Sequence, residues 1–75
     1  ADETAPAADL DARSDLMASL RRLPVRQRTV LVLKHYEGLS EREIADVLTT
    51  SIGAVKGLTT RGLANLRQDI GGRHE

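Results

Sequence analysis

Between Gly38 and Ser51 the chain stops one helix, starts a second and stops it again, and no other feature of the sequence constrains its fold so tightly. Gly38 can take the left-handed backbone that closes a helix. Ser40-Glu41-Arg42-Glu43 then forms a capping box, with the Ser40 hydroxyl placed to accept from the Glu43 amide and the Glu43 carboxylate placed to reach back to the Ser40 amide. The helix begun there carries Ile44, Ala45 and Leu48 on one face. Thr49-Thr50-Ser51 ends it, because their hydroxyls compete for backbone hydrogen bonds. Ser51 caps a longer helix in which Ile52, Val55, Thr59, Leu63, Leu66 and Ile70 recur at helical spacing until Gly71-Gly72. A short helix, a tight turn and a longer amphipathic helix are the parts of a helix-turn-helix, whose second helix enters a DNA major groove.

Upstream, Leu10, Arg13, Met17 and Leu20, with Leu16 and Leu23 beside them, form a stripe on a helix that Asp9 can cap. Leu23-Pro24 breaks it, and Pro24 suits the start of the next helix, where an amide hydrogen is not needed. The run Val30-Leu31-Val32-Leu33 could be a buried strand by itself. Its setting between Arg26-Gln27-Arg28 and Lys34, without a hairpin turn on either side, favours helix. The expectation is therefore an all-α, four-helix domain over residues 9–70, with helices at about 10–22, 25–37, 41–48 and 52–70. Residues 1–8 are expected to be a disordered acidic linker and 71–75 a flexible tail. The chain has 75 residues, a single aromatic (Tyr36) and no cysteine, so one aliphatic core must serve without disulfides or thiolate metal sites.

Zero net charge conceals an asymmetry. Asp2, Glu3, Asp9, Asp11 and Asp15 oppose only Arg13 in the first fifteen residues, whereas ten bases face six acids from Leu16 onward. Position gives that excess its meaning. At about 100° per residue, the side of the last helix opposite Val55 and Leu66 holds Gly53, Ala54, Gly57, Thr60, Arg61, Ala64 and Gln68. A solvated helix face would show Lys and Glu there. This one has small residues, a hydroxyl and one arginine, with no acid before Asp69. In a major groove Arg61 can pair with guanine edges, Thr60 and Ala54 can touch a thymine methyl, Ser51 at the helix start can meet a phosphate, and Lys56 flanks them. The competing reading is that the small face packs on another protein.

These residues also carry a resemblance. Leu23-Pro24, Arg28-Thr29-Val30-Leu31-Val32-Leu33, Glu37-Gly38-Leu39-Ser40, Glu43-Ile44-Ala45, Leu48 and Ser51-Ile52-Gly53-Ala54-Val55-Lys56 together resemble the carboxy-terminal region 4 of RNA polymerase sigma factors, in particular the extracytoplasmic-function group in its actinobacterial form. The similarity covers about Ser14 to Arg67. It implies recognition of the promoter element centred near minus thirty-five, contact with the β flap of the RNA polymerase core, and an anti-sigma factor as a further partner. The absence of cysteine and of a bilayer-length apolar run makes a cytoplasmic, nucleoid-associated protein with no membrane partner the expectation. Carried over by position, the DNA-contacting places fall on Lys56, Gly57, Thr60 and Arg61, while Arg28 lies within the matched motif and Arg42 is a further basic candidate. Ser51, Gly53 and Ala54 complete the expected DNA-binding set. Thr49 departs from the family by standing where a turn glycine is common, and Gly57-Leu58-Thr59 replaces a more usual serine, arginine, leucine series. Gly62 stands where alanine is common, at a helix cost of about 1 kcal/mol.

Two other classes remain open on the sequence. A response-regulator effector domain of the LuxR type shares part of the framework, although Leu23-Pro24 argues against it. A protein-interaction module could use the apolar seams of the first two helices. No catalytic residue, cofactor or metal site is expected, because His35 and His74 are far apart and no nucleophile has a paired base. The capping box accounts for Glu43, and Glu41 and Asp46 suit exposed helix positions.

Overall fold

A computed structural model describes residues 7–73, with side chains described for residues 13–72. The four expected helices are present: α1 (Ala7–Arg22), α2 (Val25–His35), α3 (Glu41–Leu48) and α4 (Ile52–Arg73). There is no strand among the described residues. α4 is the spine, packing most extensively on α2, then on α3 and α1, while α2 also meets α3.

Three boundaries differ from the sequence expectation. α1 begins at Ala7, so Asp9 stands inside the helix rather than at its cap, and Ala7 and Ala8 belong to the helix rather than to a linker. Alanine, the strongest helix former, extends the helix at little cost. The linker assignment for residues 1–6 lies outside the described residues. α2 closes at His35, short of Glu37. α4 continues through Gly71-Gly72 to Arg73, because neither glycine takes the left-handed conformation that would stop it. His74 and Glu75 lie outside the described residues.

Two apolar clusters hold the helices together. One gathers Val30, Ile44, Ala45 and Val55, flanked by Leu33, Leu39, Leu48 and Leu58. The other gathers Leu20, Leu23 and Leu31, flanked by Leu16, Met17, Leu63 and Leu66. Val30 and Leu31 are adjacent in sequence, so helical rotation points them into different clusters. That explains an uninterrupted apolar run on a helix: α2 is buried on two sides. Ile52, which the spacing assigns to the core stripe, is instead 37% exposed, and Leu58 packs against the cluster in its place.

The break between α1 and α2 is clamped at both ends. The Pro24 carbonyl accepts the first α2 hydrogen bond from Arg28 N at 3.0 Å. The Arg28 guanidinium donates back to Arg21 O at 3.1 Å, placing positive charge at the carbonyl end of α1. Farther along, Arg22 grips Asp69 of α4 through Nε (3.0 Å) and Nη2 (2.7 Å). This hydrogen-bonded carboxylate raises the Arg22 pKa above its ordinary value, so the guanidinium stays charged.

Candidate nucleic-acid interface

The capping box forms as the sequence predicts. Ser40 Oγ accepts from Glu43 N at 3.1 Å, and Ser40 N donates to Glu43 Oε1 at 2.8 Å. Gly38, at φ 73°, turns the chain so that Leu39 N reaches Leu33 O at 3.0 Å. Lys34 at the end of α2 pairs with Glu41 at the start of α3 (3.2 Å). The first helix of the motif is therefore fixed to α2 before the turn begins.

The turn itself carries strain. Thr49 sits at φ 54°, ψ 54°, a left-handed conformation in which a β-branched side chain is unfavourable. Two donors compensate, because Thr49 N and Thr50 N both return to the last turn of α3, Thr50 N reaching Ala45 O at 2.9 Å. Ser51 then caps α4, its hydroxyl accepting from Ala54 N at 3.0 Å and its carbonyl from Val55 N at 3.1 Å. Behind the turn, Ile44, Ala45 and Val55 are almost fully buried and set the angle between the two helices. Thr59 faces the same way, and its hydroxyl is satisfied by Val55 O at 2.9 Å.

Opposite this buried seam, α4 presents the expected face to solvent. Ser51, Gly53, Ala54, Lys56, Thr60 and Arg61 are all exposed. Gly57 alone is half-buried, and Arg61 covers it: a Cβ at Gly57 would lie 3.2 Å from Arg61 Nη1 and 3.7 Å from Cζ. Arg42 is exposed in the first turn of α3. Arg28 does not join this face in the structure, since its guanidinium is bonded to α1. Sequence reasoning missed the exposed apolar pair flanking the turn, Val47 at 61% and Ile52. The signal for Val47 was available, because it lies off the Ile44–Ala45–Leu48 face.

A second surface lies away from the turn. An apolar groove of ≈ 210 Å³ runs between α1, α2 and α4, walled by Leu16, Leu20, Leu31, Val32, Leu63 and Leu66, with Tyr36 beside it. Among the described residues no cluster of His, Asp or Glu has metal-binding geometry, and no helix is long and apolar enough to cross a membrane.

A short capped helix, a left-handed turn and a long helix with an acid-free outer face define a helix-turn-helix module. Residues 13–66 match the sigma-70, region 4 family, and the chain belongs to it. It is 43% identical over 61 residues to an RNA polymerase sigma-E factor of Streptomyces avermitilis, covering 81% of this chain and 34% of that protein. The sigma-E factor of Streptomyces coelicolor is 43% identical over 58 residues, covering 77% of this chain and 33% of the relative. The ECF RNA polymerase sigma factor SigW of Bacillus subtilis is 34% identical over 61 residues, covering 81% and 33% respectively. The chain thus spans about a third of the length of the curated relatives it matches.

Proposed function

We propose that this domain reads the minus thirty-five promoter element for an RNA polymerase sigma factor of the extracytoplasmic-function type, with α4 lying in the major groove. The observation that carries the reading is the outer face of α4: small residues that let the backbone approach, Thr60, Lys56 and Arg61 exposed together, and no acid among them. Arg61 supplies donors for a guanine edge, the Ser51-capped helix start suits a phosphate, and Lys56 adds a second phosphate contact. Arg42 is a further phosphate candidate, whereas the bond from Arg28 to Arg21 O supports a structural role for Arg28. The domain acts by binding and not by catalysis, in the cytoplasm at the nucleoid.

The groove between α1, α2 and α4 is the candidate seat for protein partners, namely the β flap of the polymerase core or an anti-sigma factor. Its walls are almost wholly apolar, which suits the apolar side of a partner helix. A pure protein-interaction module is the second reading, favoured by this groove. Titration against an upstream promoter duplex and a scrambled duplex, at two salt concentrations, separates the two. Phosphate contacts make binding fall steeply with salt. The proposal expects salt-sensitive binding that prefers the promoter duplex. Binding to the flap helix with no DNA preference would establish the second reading instead.

A further inference from the structure

We infer that Gly57 is a positioning residue that seats the Arg61 guanidinium and thereby sets the base preference of the recognition helix. The inference rests on the promoter-reading function proposed above and assigns a device within it. Gly57 lies on the outer face of α4, where its neighbours Ala54, Thr60 and Arg61 are exposed, yet it is half-buried. Its cover is the end of the Arg61 side chain. Arg61 Nη1, Cζ and Nη2 lie 3.2, 3.7 and 3.7 Å from where a Gly57 Cβ would stand. The side chain of a helical residue leans toward the amino-terminal turn, so residue 61 naturally returns over residue 57. Only the absence of a side chain at position 57 leaves room for the guanidinium to lie against the helix there.

The fork of an arginine reads a guanine edge through two donors at once, so its orientation matters as well as its charge. With no Cβ at position 57 the fork can lie against the helix there, an orientation that a side chain at 57 would crowd. A methyl at position 57 displaces a flexible side-chain end and no packed core, so it costs the fold little. It also removes the helix penalty of glycine. Stability and base preference are therefore expected to move in opposite directions, which a merely structural glycine would not produce.

The test uses the 75-residue chain and a randomised duplex library, sequenced after selection, for wild type, Gly57→Ala, Arg61→Ala and the double variant. Wild type is expected to prefer guanine at one position. Arg61→Ala should lower that preference roughly fivefold or more, and Gly57→Ala roughly threefold while raising Tm. In the Arg61→Ala background, Gly57→Ala should cause no further loss, because its effect passes through Arg61. Equal losses from Gly57→Ala in both backgrounds, or an unchanged guanine preference, overturn the seat while leaving base reading by Arg61 intact. If wild type itself shows no sequence preference, the promoter-reading function fails and the seat fails with it.

Discussion

At the level of single residues, Thr49 and Lys56 beside and on α4 have different physical meanings. Thr49 holds a left-handed backbone that glycine would hold without steric cost. Thr49→Gly is therefore expected to stabilise the domain by about 1 kcal/mol, offset in part by the entropy glycine adds to the unfolded chain. Denaturant unfolding measures it, and a destabilised variant would show that the Thr49 side chain contributes something the turn geometry does not reveal. The departure at Thr49 came from the family resemblance, as a β-branched residue where a turn glycine is common. Its positive φ became certain only with the hydrogen bonds from Thr49 and Thr50 back to α3. Lys56, exposed and bonded to no other described residue, is the proposed phosphate contact. Lys56→Ala should then flatten the slope of log affinity against log salt by about 1 without altering sequence preference. An unchanged slope removes Lys56 from the interface.

At the level of helices, the close approach of α4 to α2 depends on Gly62. In sequence Gly62 is only a weak point, costing helix propensity with nothing visible in return. The compensation is tertiary: a Cβ there would lie 3.2 Å from Leu31 Cδ1, 3.3 Å from its Cγ and 3.4 Å from Gln27 Cβ. Leu31 is 3% exposed and cannot withdraw into solvent. Overpacking of this kind costs about 1–3 kcal/mol, against a propensity gain of about 1 kcal/mol. Gly62→Ala should therefore leave the protein no more stable, and typically less stable by about 1 kcal/mol, in thermal or denaturant unfolding. A clear gain in stability would mean that α2 and α4 can separate freely. Gly57 and Gly62, five residues apart on one helix, thus carry opposite expectations for the same substitution. One faces the solvent-exposed end of an arginine side chain and the other a packed leucine, a distinction that residue identity alone does not make. Helix ends show the same limit. The Ser40–Glu43 box was legible because both partners are local, while the start of α1 and the end of α4 were misplaced because alanine and glycine leave termination to context.

At the level of the whole molecule, α4 divides the domain into two surfaces, one proposed for DNA and one for a protein partner. Its amino-terminal half, supported by α3, turns Ser51, Gly53, Ala54, Lys56, Thr60 and Arg61 outward, and its carboxy-terminal half closes a groove with α1 and α2. The α4 face was legible in sequence through helical periodicity and the missing acids. The groove was not, because it needs leucines from three helices whose relative placement is set by the Leu31–Gly62 contact and the Arg22–Asp69 pair. That ion pair is partly exposed and screened by solvent, so apolar packing remains the main hold on α1.

Backbone amide NMR during titration with the upstream promoter duplex distinguishes DNA reading by the outer face of α4 from binding at the groove. Shifts are expected to concentrate in residues 51–61, led by Ser51, Ala54, Lys56, Gly57 and Arg61, while the amides of Leu16, Leu20 and Leu66 stay in place. Shifts centred on the groove residues, with the amides of 51–61 unmoved, would contradict it.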